Sequence, residues 1–135
     1  MTLKQVFIIN QDLKMDKGEI VVQVAHGEVF YMKIMGDYLN LTSIDDKESQ
    51  MIENYYKWMK EGLMKKVVLK ATQKEMLILI RIMKRMNQVE KWKIWFNIVY
   101  DKGLTQVPAD SMTCIVIEPL GEQLADHYFG HLKLL

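Results

Sequence analysis

The sequence predicts an α/β protein in which helices cover both faces of a mixed sheet. Short apolar runs of strand length alternate along the chain with stretches whose apolar residues recur at helical spacing. The apolar runs contain few polar residues, which is typical of strands that are buried on both faces. A chain of 135 residues can bury one core but not two. We therefore expect a single-domain three-layer sandwich over residues 1–135, built on a mixed four-stranded sheet with helices on both faces.

Four segments are the predicted strands. Residues 4–10 (KQVFIIN) and 65–71 (KKVVLKA) each hold an apolar run bounded by polar residues. The other two are residues 94–100 (IWFNIVY) and 113–119 (TCIVIEP), and the proline at the end of the last segment stops that strand.

Helices are predicted between these strands. Thr72 and Glu75 have the spacing of a capping box, in which each side chain binds the other residue's free backbone amide, so a helix begins there and runs to about Asn87. A short helix is predicted over residues 120–129. The region between the first two strands is expected to hold helices as well, but residues 36–54 are polar and acidic and are predicted to form a loop.

Residues 12–26 (DLKMDKGEIVVQVAH) fit two structures. The β-branched run at 20–22 favours a strand. Glu19, Gln23 and His26 would instead share one face of a helix. Under the helical alternative, an acid, an amide and an imidazole stand in one row behind two lysines, and this row is a candidate site.

The composition gives expectations about location. The longest apolar runs, such as residues 76–80 (MLILI), are too short to cross a bilayer. The first ten residues lack the basic start and long apolar segment of a signal peptide. The single cysteine, Cys114, cannot form an internal disulfide and fits a reducing compartment. We therefore expect a cytoplasmic protein that does not insert into a membrane.

Charge is distributed unevenly along the chain. Residues 57–93 carry 11 basic and 3 acidic side chains, although the net charge of the whole chain is only +1. Such a segment could attract a polyanion such as a nucleic acid through its local field. Solvated helix faces that keep the protein soluble would produce the same pattern, so charge alone leaves both interpretations open.

The familiar signatures of catalysis and cofactor binding are missing from the sequence. It has no glycine-rich phosphate loop, no nucleophile elbow and no Cys-x-x-Cys pair. His127 and His131 have a spacing that could hold a metal on a helix, but no third ligand is near in the sequence, and we expect no metal site. Cys114 lies within an apolar strand pattern and is interpreted as a small buried residue.

A polar loop between the last two predicted strands is the second candidate site. Residues 101–113 (DKGLTQVPADSMT) contain Asp101, Thr105, Gln106 and Thr113. In open α/β sheets, functional side chains gather at strand ends and in the adjoining loops. Ordinary turns contain the same residue types, so this loop does not by itself define a function.

Four segments together resemble the archaeal and eukaryotic type of peptidyl-tRNA hydrolase. They are DLKMDKGEIVVQVAH, KKVVLKA, DKGLTQVPADSMT and the terminal GHLKLL. The family characteristically shows DLKMGKGKIAAQVAHA, KVVLK, DAGRTQIAPGSxT and TGHLKLL, in the same order. Only residues 32–57 and 84–95 lack a counterpart in that pattern, and both segments are longer here than the family pattern predicts.

The resemblance implies a cytoplasmic enzyme, often dimeric, that cleaves the ester between a peptide and the 3′ ribose of tRNA without a metal or other cofactor. The residues that it implicates in catalysis are Asp101, Thr105, Thr113, Gln23 and His26. Those that it implicates in binding peptidyl-tRNA are Lys14, Lys17, Gln106 and Lys102. Asp101 would orient the attacking water, with the two threonines as hydrogen-bonding partners. For His26, a role in packing and a role in catalysis are both open.

Three departures from the family pattern remove positive charge. Glu19 stands where the family has a lysine, Leu104 where it has an arginine, and Asn10 where an arginine often ends the first strand. Lost cations would weaken the binding of a substrate rich in phosphates. Two hypotheses follow: a working hydrolase whose basic segment 57–93 attracts tRNA, or a catalytically weak paralogue of the same fold that binds RNA, a protein or a small ligand.

Overall fold

The computed structural model describes residues 2–89, 93–102 and 107–135. The strands are β1 (Leu3–Asn10), β2 (Lys66–Ala71), β3 (Phe96–Tyr100), β4 (Met112–Ile117), β5 (Leu120–Gly121) and β6 (Lys133–Leu134). The helices are α1 (Lys17–Leu39), α2 (Asp46–Lys60), α3 (Gln73–Met86) and α4 (Glu122–Phe129), and a short 3-10 helix (Gln11–Leu13) follows β1. The predicted α/β class is confirmed.

The sheet is mixed, as predicted. Its strand order is β3-β4-β1-β2-β6, and β5 pairs with the start of β1. The four predicted strands correspond to β1 to β4, but the predicted strand count of four is wrong because β5 and β6 add two more. Each of these has only two residues, and a run that short cannot be recognised from an apolar pattern.

Strand direction brings five strand ends to one edge of the sheet. β1 and β2 are parallel, β4 is antiparallel to both β1 and β3, and β6 is antiparallel to β2. The carboxyl ends of β1 to β3 therefore lie beside the amino ends of β4 and β6. We call this the carboxyl edge, and it is marked by Asn10, Ala71, Tyr100, Met112 and Lys133.

Helices cover both faces of the sheet, as predicted. On one face, Phe7 and Ile9 of β1 pack in a cluster that includes Tyr31 of α1 and Trp58 of α2. On the other face, the intervening residues of β1 pack with α3 and α4. This cluster includes Val6, Ile8, Met76, Met83 and Phe129. Side chains on successive strand positions point to opposite faces, which explains why β1 is apolar along nearly its whole length.

Residues 17–39 form one helix, which resolves the ambiguity of the β-branched run. The carboxylate of Asp16 accepts a hydrogen bond from the Glu19 amide over 2.9 Å and caps the helix. Four residues at intervals of one turn form its buried face: Gln23, Gly27, Tyr31 and Met35. This buried face packs against the sheet, and the packing outweighs the strand preference of residues 20–22.

The close approach of α1 to the sheet depends on Gly27. A Cβ atom at this position would lie 3.0 Å from Cβ of Val116 and 3.6 Å from Cε1 of Phe7. A contact of 3.0 Å is tighter than most carbon contacts, so a larger residue would require the helix or Val116 to shift by a few tenths of an ångström. Gly27 therefore sets the height at which Gln23, one turn earlier, lies over the sheet.

The prediction that residues 36–54 form a loop is wrong for most of the segment. α1 continues to Leu39, and α2 begins at Asp46. Asp45 and Glu48 form a reciprocal capping box at the start of α2, with bonds of 2.7 and 2.9 Å. The helix is mostly polar and buries only a narrow stripe that includes Met51 and Trp58, so its apolar pattern is weak.

Within the part of the chain that the structure describes, no helix is both long enough and apolar enough to cross a membrane.

Candidate active site

Three buried polar side chains meet at the carboxyl edge. The amide nitrogen of Gln23 on α1 donates to Oδ2 of Asp101, just past the end of β3, over 3.3 Å. The hydroxyl of Thr113 on β4 lies 2.7 Å from the amide oxygen of Gln23. The exposed fractions of Gln23, Asp101 and Thr113 are 1%, 4% and 0%. Three predicted catalytic residues thus form one connected chain. Asp101 and Thr113 lie 78 and 90 positions from Gln23 in the sequence.

The Thr113 hydroxyl has two acceptors within reach, and the one that it donates to sets the orientation of the Gln23 amide. Thr113 has one proton, and besides Gln23 its hydroxyl has a second acceptor in the carbonyl of Val99 at 3.1 Å. When the hydroxyl donates to the amide oxygen of Gln23, the NH₂ group of Gln23 must point at Asp101. A reversed amide would place its oxygen against the carboxylate of Asp101, which is repulsive when that carboxylate is ionised. In the observed orientation the amide nitrogen of Gln23 donates to the Asp101 carboxyl group over 3.3 Å.

A β-bulge turns Thr113 towards α1. Val99 pairs with Cys114 and Tyr100 pairs with Met112, so Thr113 is an extra residue on β4. In a regular strand, Thr113 would share a face with Ile115, away from α1. Bulges of this kind redirect side chains and are common beside active sites. This bulge allows the Thr113 hydroxyl to reach Gln23.

Backbone bonds hold both ends of the loop that follows Asp101. The amide of Asp101 donates to the carbonyl of Ser111 over 2.9 Å, and the amide of Asp110 donates to the carbonyl of Asp101 over 2.6 Å. Asp110 has a φ of 63°, a left-handed conformation that aspartate tolerates better than most residues. Its position is one where the family pattern has glycine, and the backbone geometry accounts for that preference.

Asn10 joins β1 to its neighbours at the same edge. Its amide nitrogen donates to the carbonyl of Met112 over 2.9 Å and lies 3.3 Å from the side-chain oxygen of Gln73 at the start of α3. Asn10 is 1% exposed. Asparagine at the site of the family's arginine thus has a structural role here, since it links the starts of β4 and α3. The sequence indicated only a lost cation.

The remaining predicted site residues have different environments. His26, Lys14, Lys17 and Lys102 are exposed, and the side chain of His26 makes no hydrogen bond to any described residue. Lys14 and Lys17 lie just before and at the start of α1, and Lys102 follows Asp101 directly. All three are therefore near, in sequence, to residues at the carboxyl edge. Thr105, Gln106 and Leu104 lie outside the described residues.

Glu19 has an unusual environment for a residue near a helix start. Asp16 and Glu19 have capping-box spacing, but only the bond from the Glu19 amide to Asp16 is formed. In α2 and α3 the corresponding glutamates close the box. Oε2 of Glu19 is instead buried without a hydrogen-bond partner, and no lysine or arginine of the described residues forms a salt bridge with it. Glu19 lies one turn before Gln23, on the same side of α1.

Cys114 is a buried residue of the core, as predicted. It is 0% exposed, and burial raises the pKa of its thiol to about 12. A thiol with this pKa is almost entirely protonated at neutral pH and is a poor nucleophile.

A cavity of about 330 Å³ lies at the opposite edge of the sheet and contains none of the predicted site residues. In its wall, a salt bridge of 2.7 Å joins Lys47 of α2 to Glu118, which follows β4. The Trp95 amide also donates to Glu118 over 2.6 Å. Burial raises the pKa of Glu118, and Lys47 and the Trp95 amide partly oppose this effect.

The chain matches the model of one protein family over nearly its whole length. The family is described as peptidyl-tRNA hydrolase PTH2, and the match covers residues 3–135. This chain belongs to the PTH2 family. The membership confirms the resemblance drawn from the four sequence motifs.

Several archaeal proteins are similar in sequence to this chain over nearly their whole length. A protein of Thermococcus onnurineus named peptidyl-tRNA hydrolase is 36% identical over 132 residues, which cover 98% of this chain and 97% of the relative. Its namesake in Thermococcus sibiricus is 34% identical with the same coverage. A third protein of that name, from Saccharolobus islandicus, is 33% identical over 133 residues, covering 98% of this chain and 99% of the relative.

Proposed function

We propose that this chain hydrolyses the ester bond between peptide and tRNA in peptidyl-tRNA. The observation that carries the proposal is the buried chain from Thr113 through Gln23 to Asp101 at the carboxyl edge of a PTH2-family sheet. Relatives that carry the name peptidyl-tRNA hydrolase over their full length support it.

In the proposed reaction, water attacks the ester carbonyl beside Asp101. The carboxylate accepts a proton from the water as the new C–O bond forms, the bond to the 3′ oxygen of the ribose breaks, and that oxygen takes up a proton. Gln23 holds the carboxylate in place, and Thr113 holds Gln23. Because Thr113 is fully buried, we assign it a positioning role through Gln23.

Binding of the tRNA is assigned to basic groups at and beyond this edge. α3 begins at the carboxyl edge and exposes four basic side chains along its length: Lys74, Arg81, Lys84 and Arg85. A helix of 14 residues spans about 21 Å. This basic surface, together with Lys14, Lys17 and Lys102 near Asp101, supports attraction of the tRNA backbone. We place the reaction in the cytoplasm, where translation supplies the substrate.

We also propose a homodimer formed through the outer face of α1. Val22, Ala25, Val29 and Met32 are exposed and follow one another at intervals of three and four residues. This spacing forms an apolar stripe of the kind by which two helices pack together. The substitution Val29→Lys should convert a dimer into a monomer in analytical ultracentrifugation, and a wild-type protein that sediments as a monomer would exclude this assembly.

Release of an N-blocked amino acid from charged tRNA tests the proposed activity. Purified wild-type protein should release it with turnover, and a PTH2 enzyme of known activity should be run in parallel. If the reference enzyme is active and this protein does not exceed the rate without enzyme, the chain is the catalytically weak paralogue and not a hydrolase.

A further inference from the structure

Two lysines lie directly opposite each other at the carboxyl edge. Lys70 of β2 and Lys133 of β6 are register partners in an antiparallel pair, so their side chains project from the same face of the sheet. Like charges in directly opposed positions destabilise a sheet. Neither lysine forms a salt bridge within the described residues. Among the described residues, this pair of cations therefore has no ion-pairing partner within salt-bridge distance.

The two lysines line a surface cavity of about 280 Å³. Its described lining residues are Gln11, Lys70, Glu75, His131, Leu132 and Lys133. The one carboxylate among them takes part in the capping box of α3, where Oε1 of Glu75 accepts the Thr72 amide over 2.9 Å. The neighbouring Asp12 likewise accepts the Gln73 amide over 2.9 Å. Both carboxylates are therefore held at the start of α3, and neither forms a salt bridge with Lys70 or Lys133.

This cavity lies on the same edge of the sheet as Asp101 and Thr113. Neighbouring strands are about 4.8 Å apart, so β2 lies about 10 Å and β6 about 14 Å from β4 along the edge. The proposed catalytic carboxylate of Asp101 thus lies towards one end of the edge, and the lysine pair lies at the other. Peptidyl-tRNA has an ester at one end and a phosphodiester chain beyond it. Its ester could therefore lie at Asp101 while a backbone phosphate lies at the lysine pair.

We propose that Lys70 and Lys133 form an anion subsite that binds a backbone phosphate of the substrate's 3′ strand, upstream of the ester. This inference rests on the proposed function and adds a direction to it. The strand enters over β6 and β2 and crosses β1 to reach Asp101 beside β4. The phosphate supplies the counter-ion that the lysine pair lacks, and His131 and Gln11 provide further donors at the rim of the cavity.

Kinetics of single and double variants test the subsite. Lys133→Met and Lys70→Met should each raise KM for peptidyl-tRNA by roughly 3- to 10-fold and leave kcat within about twofold, because they remove phosphate contacts but no reacting group. Lys60→Met is the matched control, since Lys60 is an exposed lysine at the end of α2, away from this edge. An equal effect of all three variants would overturn the subsite and indicate general attraction.

Direct binding of uncharged tRNA separates this inference from the proposed activity. The slope of the logarithm of the binding constant against the logarithm of salt concentration should fall by about 0.7 to 0.9 for each lysine removed. This result can be obtained even if the wild-type protein shows no hydrolysis, in which case the proposed function fails and the subsite stands. An unchanged slope in both variants, with an active wild-type enzyme, would overturn the subsite alone.

Thermal unfolding distinguishes a phosphate subsite from a structural role of the lysines. Without added anions, Lys133→Met should raise the melting temperature by about 1–4 °C because it removes the like-charge pair. Unaltered or lower stability would contradict the unfavourable pairing on which the inference rests. Inorganic phosphate is the second probe: if it stabilises the wild type but not Lys133→Met, while KM for peptidyl-tRNA is the same in both, the site binds free phosphate and the tRNA assignment is wrong.

Discussion

Gln23 on α1 donates a hydrogen bond of 3.3 Å to Asp101, although the two residues lie 78 positions apart. The bond is made just past the end of β3, one helical turn before the close approach of Gly27 to β4. Gln23 can hold the buried carboxylate only while the helix keeps its position, so the packing of α1 and the orientation of Asp101 depend on each other. The following predictions test this dependence and the charges around it.

Removal of the Thr113 hydroxyl should impair activity more than stability. In Thr113→Val, the amide oxygen of Gln23 loses its donor at 2.7 Å, and the amide is free to turn away from Asp101. We expect kcat to fall at least about tenfold, and the free energy of unfolding to fall by about 1–2 kcal/mol. Thr113→Ser keeps the hydroxyl and should retain most of the activity. Equal activity of the two variants would remove Thr113 from the positioning chain.

Two glycines of α1 provide a matched pair. Nothing lies within 4 Å of a Cβ atom at Gly36, whereas a Cβ at Gly27 meets Val116 at 3.0 Å. Gly36→Ala should stabilise the protein by about 0.5–1 kcal/mol through helix propensity. Gly27→Ala should lose that gain, because overpacking costs about 1–3 kcal/mol, and should also lower kcat by moving Gln23. Chemical denaturation and initial rates measure both effects, and parallel behaviour of the two variants would contradict the close packing.

The charge of Glu19 should limit the rate. Its Oε2 atom is buried without a hydrogen-bond partner one helical turn from Gln23, so this position places an acid beside the proposed site where the family pattern has a lysine. Glu19→Lys should raise kcat/KM for peptidyl-tRNA by about tenfold, and combination with Leu104→Arg should add to the effect. Glu19→Gln separates loss of the acid from gain of a cation and should have an intermediate rate. If neither Glu19→Lys nor the double variant is faster than the wild type, the departures from the family pattern do not limit catalysis.

Glu118 and Lys47 should respond asymmetrically to substitution. Lys47→Met leaves a buried carboxylate without its ion pair and should cost on the order of 3 kcal/mol at neutral pH. Glu118→Gln keeps an acceptor for the Trp95 amide and carries no charge, so it should be close to neutral. Denaturation at pH 7 measures both variants, and a smaller loss in Lys47→Met than in Glu118→Gln would contradict this account of the pair.

The pH dependence of stability follows from the same carboxyl group. Burial raises the pKa of Glu118 above its ordinary value of 4.5. A carboxyl with a higher pKa in the folded state favours folding while it is protonated, and this contribution is lost as pH rises from 4.5 through the folded-state pKa. The difference in unfolding free energy between wild type and Glu118→Gln should therefore shift in favour of the variant as pH rises. A difference that is constant with pH would show that Glu118 titrates normally.

The sequence was sufficient for features that depend on local patterns. The apolar runs of β1 to β4 and the capping box at Thr72 and Glu75 were predicted within a few residues of their observed positions. α2 was missed over much of its length because a polar helix with a narrow buried stripe has a weak apolar pattern. β5 and β6 are too short to produce a pattern of their own.

The candidate site was only partly predictable for a different reason. Motif resemblance selected Gln23, Asp101 and Thr113, but no local signal showed that a bulge turns Thr113 towards α1. The opposition of Lys70 and Lys133 likewise depends on the register of a two-residue strand. Such relationships are set by tertiary contacts, which a single sequence does not display.

The most direct test of the central claim is the rate of peptidyl-tRNA hydrolysis by wild type and Asp101→Asn under identical conditions. Asparagine preserves the shape of the side chain and removes the carboxylate that accepts the proton from water. We expect turnover by the wild type and a loss of at least about 100-fold in kcat for the folded variant. Equal rates for the two proteins would contradict it, because the ester would then be cleaved without the carboxylate at the carboxyl edge.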